Sequence, residues 1–396
     1  MRYDVAIIGA GPSGMALGVA LSQAGRRVVV LDALPAPALA ASPAGEFDAR
    51  VYAISPASAA WLAQSRVWGA LDPSRVAPVY DMQVYGDQSK TLVPGLDLSA
   101  YRAGVGALCT IVEERELARV LAAAARFYAS LEVLRPVQVA AVATVDDEAR
   151  ITLADGRIVG AQLLVGADGA RSQVRAWAGI EVQSFDYGQS AVVANFDCEK
   201  PHHNTASQWF RVEQDGAGGI LAWLPLPGDR LSMVWSVSTT FAESLLGLDR
   251  ETLAERVARA GMYKHGRLAC SGVPAAFPLR NQRAGRLIGQ RTALVADAAH
   301  VLHPLAGQGL NLGFGDCAGL SAALAGVRDC GDPLALRAYE RGRKAALLEM
   351  HAVTHGLARL FALDHPLARG LRNFGLNLAG RLPGLPRMIV RGAIRA

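Results

Sequence analysis

The chain opens on an alternation of apolar runs and a glycine-rich turn. Residues 3–8 are apolar except for Asp4, and this run has the length of a buried strand. The turn Gly9-Ala10-Gly11-Pro12-Ser13-Gly14 follows, and residues 15–24 are small and apolar, which suits a packed helix. A second strand is expected at residues 27–31, which are apolar after Arg27, and it ends at Asp32. The pattern predicts a strand, a turn, a helix and a second strand, which together open a Rossmann-like α/β fold.

Farther along the chain the period of the pattern changes. Residues 131–164 form short alternating apolar runs, which predict a small antiparallel meander. Residues 181–275 are dominated by β signals, with strands expected at 190–196, 207–212, 219–224 and 230–237. Helical spacing of apolar residues covers 114–125, 312–325 and 334–353. The chain is therefore expected to combine an α/β part with a second, mostly antiparallel β part.

The first glycine turn has the spacing of a dinucleotide-binding fingerprint. Gly9 allows the tight turn, Gly11 allows a pyrophosphate to approach the backbone, and Gly14 lets the helix pack close to the sheet. The free amides at the helix N-terminus, where Pro12 and Ser13 stand, would bind the anion. The turn alone does not distinguish FAD from NAD.

Three later features extend this interpretation. Asp32 stands about 20 residues after the glycines, where a carboxylate accepts hydrogen bonds from an adenosine ribose. A second glycine segment, Gly166-Ala167-Asp168-Gly169-Ala170-Arg171, follows a strand expected at 162–165. A third segment begins with Ala296-Asp297-Ala298-Ala299-His300 and continues to Asn311. In this order the three glycine-bearing segments predict a flavin site.

Size and composition describe an ordered globular protein. The chain has 396 residues, of which 51% are hydrophobic and 19% charged, so two closely packed domains are expected. The five cysteines are dispersed without a Cys-x-x-Cys pair, which suits a reducing cytoplasm and argues against a disulfide framework or a zinc site. The apolar stretch 5–21 follows Asp4 and contains the glycine turn, so we expect neither a cleaved signal peptide nor a transmembrane helix.

The positive charge is concentrated near the end of the chain. The sequence pI is about 9.1, and no acidic residue follows Asp364. The arginines interleaved there with apolar residues are Arg369, Arg372, Arg381, Arg387, Arg391 and Arg395. A membrane-surface or partner-binding element has this pattern, and a packed C-terminal helix with a solvated arginine face has it equally. Because aromatic and basic residues do not form a nucleic-acid-binding pattern, no nucleic-acid partner is expected.

These segments resemble the class A flavoprotein aromatic hydroxylases and, within them, the ubiquinone-biosynthesis hydroxylases. The resemblance covers nearly the whole chain, and its most specific part runs from Asp297 to Gly313. Shorter motifs include Arg50-Val51-Tyr52-Ala53-Ile54-Ser55, Val112-Glu113-Glu114-Arg115-Glu116-Leu117, Leu224-Pro225-Leu226 and Tyr339-Glu340-Arg341. The family usually has glycine where this chain has Ala296. One methyl group is expected to be tolerated there if the backbone φ is negative.

The resemblance implies a fold like that of p-hydroxybenzoate hydroxylase. A Rossmann-like FAD-binding domain would comprise residues 1–75, 100–180 and 276–335. An inserted, mostly antiparallel β substrate domain would comprise residues 76–99 and 181–275. Residues 336–396 would form a helical C-terminal region.

The resemblance also implies the cofactor contacts. Asp297 would accept a hydrogen bond from the flavin ribityl chain. The segment along the isoalloxazine edge would contain Pro304, Gly307, Gln308, Gly309, Leu310 and Asn311. Free amides at the N-terminus of the helix that follows would stabilise negative charge on reduced flavin.

Several charged residues outside this loop resemble family positions near the cofactor. Asp168 belongs to a motif associated with both FAD and nicotinamide binding, while Arg50 and Arg115 could each clamp phosphate or ribityl oxygens. Arg171 and Arg175 would either neutralise phosphates or lie on the surface beside the turn.

The protein acid or base stays unassigned. His303, Pro304 and Gln308 are the flavin-loop candidates for a catalytic role. His300 and His303 lie three positions apart, but no third ligand accompanies them, so we expect them to order the loop and expect no metal site.

The reaction follows from the resemblance. Since the chain has one dinucleotide fingerprint, NADPH or NADH would bind transiently and reduce FAD. Reduced FAD and O₂ would form a C4a-hydroperoxide that hydroxylates an electron-rich ring, and water must be excluded meanwhile. In the ubiquinone branch the substrate is a polyprenylated phenol, and the basic C-terminal segment would dock a cytoplasmic protein on the inner face of the membrane or on a quinone-biosynthesis complex.

Three other functions stay open from the sequence. The protein could be a class A hydroxylase of a soluble aromatic acid or secondary metabolite, with Arg211 or Arg230 facing the carboxylate. A flavin halogenase is a second alternative, because Ala222-Trp223-Leu224-Pro225 partly resembles the tryptophan motif of that family. A non-catalytic flavoprotein scaffold of a biosynthetic complex is the third.

Overall fold

The computed structural model describes residues 2–37, 46–86, 91–214, 217–302, 308–362 and 390. His303, Pro304, Gly307 and the six arginines after Asp364 lie outside the described residues. The side chain of Arg211 also lies outside the description.

The described chain forms the following elements. The strands of its first half are β1 Arg2–Ile8, β2 Val28–Leu31, β3 Val51–Ile54, β4 Val76–Val79, β5 Asp81–Tyr85, β6 Leu96–Ser99, β7 Cys109–Glu113, β8 Leu131–Leu134, β9 Val139–Val145, β10 Glu148–Leu153 and β11 Ile158–Gly166. Those of its second half are β12 Val182–Cys198, β13 Thr205–Gln214, β14 Ala217–Leu226, β15 Arg230–Ser238, β16 Leu268–Ala284, β17 Ile288–Gly289, β18 Thr292–Leu294 and β19 His300–Val301.

Helices connect these strands. The α-helices are α1 Pro12–Gln23, α2 Pro56–Gln64, α3 Ala100–Ala103, α4 Glu114–Ala125, α5 Gln173–Trp177, α6 Thr239–Leu246, α7 Arg250–Ala260, α8 Gly309–Ala323 and α9 Pro333–Ala362. Short 3₁₀ helices span Trp68–Ala70, Pro73–Arg75 and Ala296–Ala298. None of the helices in the described ranges has the length and apolar content that a membrane span requires.

The first sheet contains the N-terminal strands. Its order is β17-β18-β11-β1-β2-β8, and β10 and β9 extend it from β11 as antiparallel strands. The pairs β1·β11, β1·β2, β2·β8 and β11·β18 are parallel. All four residues of β2 are fully buried, as expected for a parallel strand covered on both faces. The predicted opening unit is therefore confirmed.

The second sheet has the order β19-β16-β12-β15-β14-β13-β5-β6 and is antiparallel except for the β13·β5 pair. Side chains alternate between its two faces. One face carries Trp209, Trp223 and Trp235, which are buried in a core that includes residues of α6 and α7. The Trp209 ring lies 4.8 Å from the Trp223 ring in an edge-on arrangement, centroid to centroid. The opposite face of this sheet lines the large cavity described below.

Most predicted elements are confirmed, and their ends shift with the tertiary structure. The expected strands of the β part correspond to β12, β13, β14 and β15, and the helix expected at 114–125 is α4. The strand expected at 190–196 extends to 17 residues in β12, because β16 pairs with it along nearly its whole length. The domain boundary expected between residues 275 and 276 falls inside β16.

Helix α7 packs against the second sheet through a glycine. A Cβ at Gly261, the C-cap of α7, would stand 2.1 Å from the Trp223 ring. Gly247, the C-cap of α6, has a similar backbone but no atom nearer than 3.6 Å to such a Cβ. We predict that Gly261→Ala lowers the free energy of unfolding by about 1–3 kcal/mol through overpacking. Gly247→Ala should change it by less than about 0.5 kcal/mol.

Urea unfolding followed by tryptophan fluorescence measures both variants. Equal midpoints for Gly261→Ala and Gly247→Ala would show that α7 does not press on Trp223 as described.

Candidate functional site

One large cavity is lined by residues of the first sheet, of the second sheet and of a third sheet, which has the strand order β3-β7-β4. Its volume is about 1400 Å³, and its walls come from the first glycine turn, from Asp32, from Asp168, from Asp297 and from the free face of the second sheet. Single-ligand pockets usually measure about 300–1,000 Å³. The cavity therefore has room for a long ligand and a second molecule beside it.

The first two glycine segments interlock at one end of this cavity. Strand β11 lies parallel beside β1, so both segments leave the same edge of the sheet. Gly9 has a φ of +109°, and a Cβ there would stand 2.2 Å from the Ala167 carbonyl oxygen. A Cβ on Gly14 would stand 1.9 Å from the Gly9 carbonyl oxygen. Both positions exclude any side chain, which agrees with the roles predicted for a tight turn and a closely packed helix.

Gly11 differs from these two glycines. Its φ is −69°, and a Cβ there would have no protein atom within 4 Å. Gly11, Pro12 and Ser13 line the cavity where α1 begins. No protein packing requires a glycine here, and the space beside Gly11 is open to the cavity.

Asp32 is fixed beside this turn. Its Oδ2 accepts a hydrogen bond of 2.6 Å from the Ala10 amide, and its Oδ1 accepts one of 2.7 Å from the Leu34 amide. Asp32 also lines the cavity. Each carboxylate oxygen has a second lone pair that can accept a hydrogen bond from a ligand hydroxyl.

The second glycine segment contributes one carboxylate and one guanidinium to the cavity. Asp168 Oδ2 accepts from the Gln173 and Val174 amides, whereas its buried Oδ1 has no hydrogen-bond partner in the described chain. Arg175 is 8% exposed and donates to the carbonyl oxygens of Ala170 and Ala298, so it ties the second segment to the third. Arg171 lines the cavity instead. The two arginines thus have different surroundings.

The third segment contains a strained residue. Ala296 has a φ of +54°, in the left-handed region that disfavours side chains, so the condition of a negative φ, under which its methyl group is expected to be tolerated, is not met. Its amide donates a 2.9 Å hydrogen bond to Asp316 Oδ2. Gly313 of α8 makes room for the Ala296 methyl group, because a Cβ there would stand 2.7 Å from it. Tertiary contacts therefore hold a conformation that glycine would adopt without strain.

Asp316 is the centre of a buried polar network. Its Oδ2 lies 2.5 Å from His300 Nε2, and its Oδ1 accepts a 2.8 Å hydrogen bond from Arg343 Nε. Burial opposes ionisation of Asp316, but His300 and Arg343 outweigh it and hold the pKa of that carboxyl below its ordinary value. Arg343 also donates to the Leu312 carbonyl. His300 therefore orders the segment, in agreement with its predicted role.

The sequence interpretation missed Asp316. The sequence could have indicated it, because Asp316 is the one charged residue of helix α8, whose other residues are mostly small or apolar. A charged side chain is stable inside a protein only when it forms an ion pair or hydrogen bonds with other groups.

Asp297 lies on the cavity wall next to Ala296. Its side chain is accessible because it borders the cavity. Protein atoms nevertheless surround it closely, so it is poorly solvated. Burial raises the pKa of Asp297 above its ordinary value, and interactions with His300 and Arg50 oppose this shift.

The start of α8 is attached to strand β3. Asn311 is 1% exposed; its Oδ1 accepts from the Ser55 amide and its Nδ2 donates to the Ala53 carbonyl, both at 2.8 Å. Gly309 and Leu310 line the cavity, and Gln308 is the N-cap of α8. The Asn311 side chain thus bonds to the protein backbone, and the residues before it face the cavity.

The two predicted arginines differ in position. Arg50 lines the cavity, forms an ion pair of 3.4 Å with Glu114 and lies over the rings of Tyr52 and Phe277 at 5.6 and 5.7 Å. Arg115 has a side chain that is 65% exposed, is paired with Asp48 at 3.7 Å and is not part of the cavity lining. Arg135, which the sequence interpretation missed, lines the cavity after β8.

The described residues contain no group of three His, Cys, Asp or Glu side chains arranged to hold a metal ion. Cys109 lines the cavity, and burial raises its pKa to about 12. Its thiol therefore stays protonated and is a poor nucleophile near neutral pH.

Comparison with known proteins identifies the ligand class. Residues 2–353 match the FAD binding domain family. The chain is 34% identical to the ubiquinone hydroxylase UbiL of Rhodospirillum rubrum, covering 99% of this chain and 89% of that protein. It is 32% identical to the 3-demethoxyubiquinol 3-hydroxylase of Escherichia coli, covering 99% and 98%.

A solved structure supports the fold. The FAD-dependent monooxygenase PqsL of Pseudomonas aeruginosa superposes with a TM-score of 0.78 at 23% identity, covering 95% of this chain and 99% of that one. The chain therefore belongs to the FAD-binding family of flavoprotein monooxygenases, in the branch of the ubiquinone-biosynthesis hydroxylases.

Proposed function

We propose that this FAD-dependent monooxygenase hydroxylates the aromatic ring of a polyprenylated phenol in ubiquinone biosynthesis, with NADPH or NADH as the reductant and O₂ as the oxidant. The observation that carries the proposal is the continuity of the cavity. A single space runs from the dinucleotide turn at Gly11 to an apolar wall on the second sheet. The two relatives named above support the choice of substrate class.

The residues present fit FAD. The open space at Gly11 and the start of α1 suit a pyrophosphate, and Asp32 suits a ribose hydroxyl. Asp297 and the start of α8 at Gly309 would hold the ribityl and isoalloxazine parts. When bound, FAD supplies the acceptance of hydride and the activation of O₂.

The protein's own groups divide the cavity electrostatically. The arginines that line it are Arg50, Arg135 and Arg171, and the acidic lining residues are Asp32, Glu114, Asp168 and Asp297; all of these lie outside the second sheet. Among the described lining residues of the second sheet, none is charged. Charged groups therefore line the part of the cavity away from the second sheet, and the apolar wall of that sheet would exclude water and accept a neutral ring.

This division favours a phenol over an aromatic acid. A carboxylate substrate would need a cation at the sheet wall to offset its desolvation. Arg230, one of the arginines considered for that role, forms an ion pair of 2.7 Å with Asp197 and lies over Phe47 at 5.2 Å. It is thus engaged away from the cavity.

Turnover with defined substrates tests the function. The FAD-loaded protein should convert a prenylated phenol to a product with one added oxygen atom, with one NAD(P)H oxidised per product. Conversion of an aromatic acid but not of the prenylphenol would favour the soluble-substrate alternative. Flavin binding without oxidation of any phenol would favour a non-catalytic scaffold.

Deletion of the gene in its host gives an independent test. Accumulation of a prenylphenol that lacks one oxygen atom, detected by mass spectrometry, is expected, and an unchanged quinone profile would contradict the proposal.

The cofactor site generates a prediction about Gly11. Gly11→Ala adds a methyl group where no protein atom interferes, so folding should be retained while FAD affinity falls by tenfold or more. Gly69→Ala adds a methyl group in equally open space away from the cavity lining and serves as the control. Flavin fluorescence titration measures both dissociation constants. Equal affinity in the two variants would exclude the pyrophosphate from this turn.

We also propose that the arginine-rich C-terminal segment contacts an anionic membrane surface. Val390, in this segment, is 3% exposed and packs with Leu98 and Ala103. This contact supports the packed-helix alternative at one point, and membrane contact by the arginines is compatible with it.

Replacing the six arginines after Asp364 by Gln tests this contact while leaving Val390 in place. The variant should lose sedimentation with vesicles that contain anionic lipid, because binding of basic residues to such surfaces is electrostatic. Neutral vesicles serve as the control, and undiminished binding of the variant to anionic vesicles would contradict the proposal.

A further inference from the structure

The wall formed by the second sheet has a simple composition. Eight residues of β5, β13, β14 and β15 face the cavity. The apolar ones are Met82, Ala206, Ile220, Ala222, Leu224 and Val234. The remaining two are Gln208 and Ser236. The side-chain hydrogen-bonding groups that these strands offer to a ligand are therefore those of Gln208 and Ser236.

Strand register separates the two polar groups. Gln208 pairs with Ala222, and Ala222 pairs with Val234, so the residue of β15 level with Gln208 is Val234. Ser236 lies two positions farther along β15. Two strand spacings and two residues correspond to roughly 12 Å between the Cα atoms. Because an aromatic ring does not span this separation, each polar group would contact a different part of a ligand.

Gln208 lines the cavity among apolar neighbours. It is 6% exposed, and its neighbours across the strands are Val84 and Ala222. Ser207 and Trp209, on either side of it in β13, face the opposite core, where Ser207 bonds to Lys264. Within the described ranges the Gln208 amide has no protein hydrogen-bond partner, and because Gln208 lines the cavity, its amide is available to a ligand there.

We propose that the Gln208 amide binds the oxygen substituent of the substrate ring and thereby determines which ring carbon faces the flavin. This inference rests on the proposed function and assigns the recognition group within that site. The amide Oε1 accepts from a phenolic hydroxyl, and Nε2 donates to a phenolate or ether oxygen. The contact therefore tolerates either protonation state of the phenol and transfers no proton.

An amide at this position would also make the site selective for rings that carry an oxygen substituent. A buried group that is built to bond a ring oxygen discriminates against rings without it, because its own hydrogen bond is then lost. The six apolar residues around it provide no substitute partner. The apolar contacts alone would let the ring rotate on the wall, and the single hydrogen bond to Gln208 would fix its orientation.

Substrate binding without reductant tests this contact. The probes are an ortho-prenylphenol with a single isoprenoid unit and the corresponding prenylbenzene, and the dissociation constants are read from the perturbation of the FAD absorbance spectrum. The wild-type holoprotein should bind the phenol about tenfold more tightly than the prenylbenzene. Gln208→Leu should lose this preference, while Ser236→Ala should retain it.

Turnover gives a second readout that a purely structural role would not change. Gln208→Leu should release more H₂O₂ per NAD(P)H and give a mixture of ring-hydroxylated products. Gln208→Met, of nearly the same length, replaces Gln208→Leu if the latter does not retain FAD.

The outcomes separate this inference from the proposed function. If the wild type neither binds nor hydroxylates prenylphenols, the proposed function fails. If the wild type hydroxylates them but does not prefer the phenol in binding, or if the Gln208 variants keep the preference, the assignment of Gln208 is overturned. Loss of the preference in Ser236→Ala alone would overturn it in favour of Ser236.

Discussion

The cofactor side of the molecule depends on one buried carboxylate. Asp316 is fully buried and bonds to the Ala296 amide, to His300 and to Arg343. These partners come from the third segment and from α9, so the network fixes the left-handed turn before Asp297 and the orientation of α8. A buried charge without such partners would be strongly destabilising, and the network therefore makes the turn and the helix interdependent.

The other two segments depend on backbone contact. Gly9, Gly14 and Ala167 approach so closely that no side chain fits between them. Parallel pairing of β1 with β11 brings the two turns together, and Arg175 links the second turn to the third through the Ala298 carbonyl. The space that remains opens toward the apolar face of the second sheet. Charged groups gather at one end of the cavity, and a wall suited to a neutral ring forms the other.

The sequence predicts those features that depend on local pattern. The apolar runs predict β1 and β2, and the glycine spacing predicts the turn between β1 and α1, because both depend on neighbouring residues. The positive φ of Ala296 depends on Asp316 and Gly313, which are distant in sequence, and local pattern could not reveal it. Likewise, only strand register places Gln208 on the cavity face.

The central claim is that the Asp316 network holds the flavin side of the cavity in place. The most direct measurement compares Asp316→Asn with the wild type in thermal unfolding and in FAD titration. Loss of the charge leaves Arg343 and His300 without their partner, so unfolding should cost about 3–5 kcal/mol less and FAD affinity should fall at least tenfold. An Asp316→Asn protein with wild-type melting temperature and FAD affinity would contradict the account.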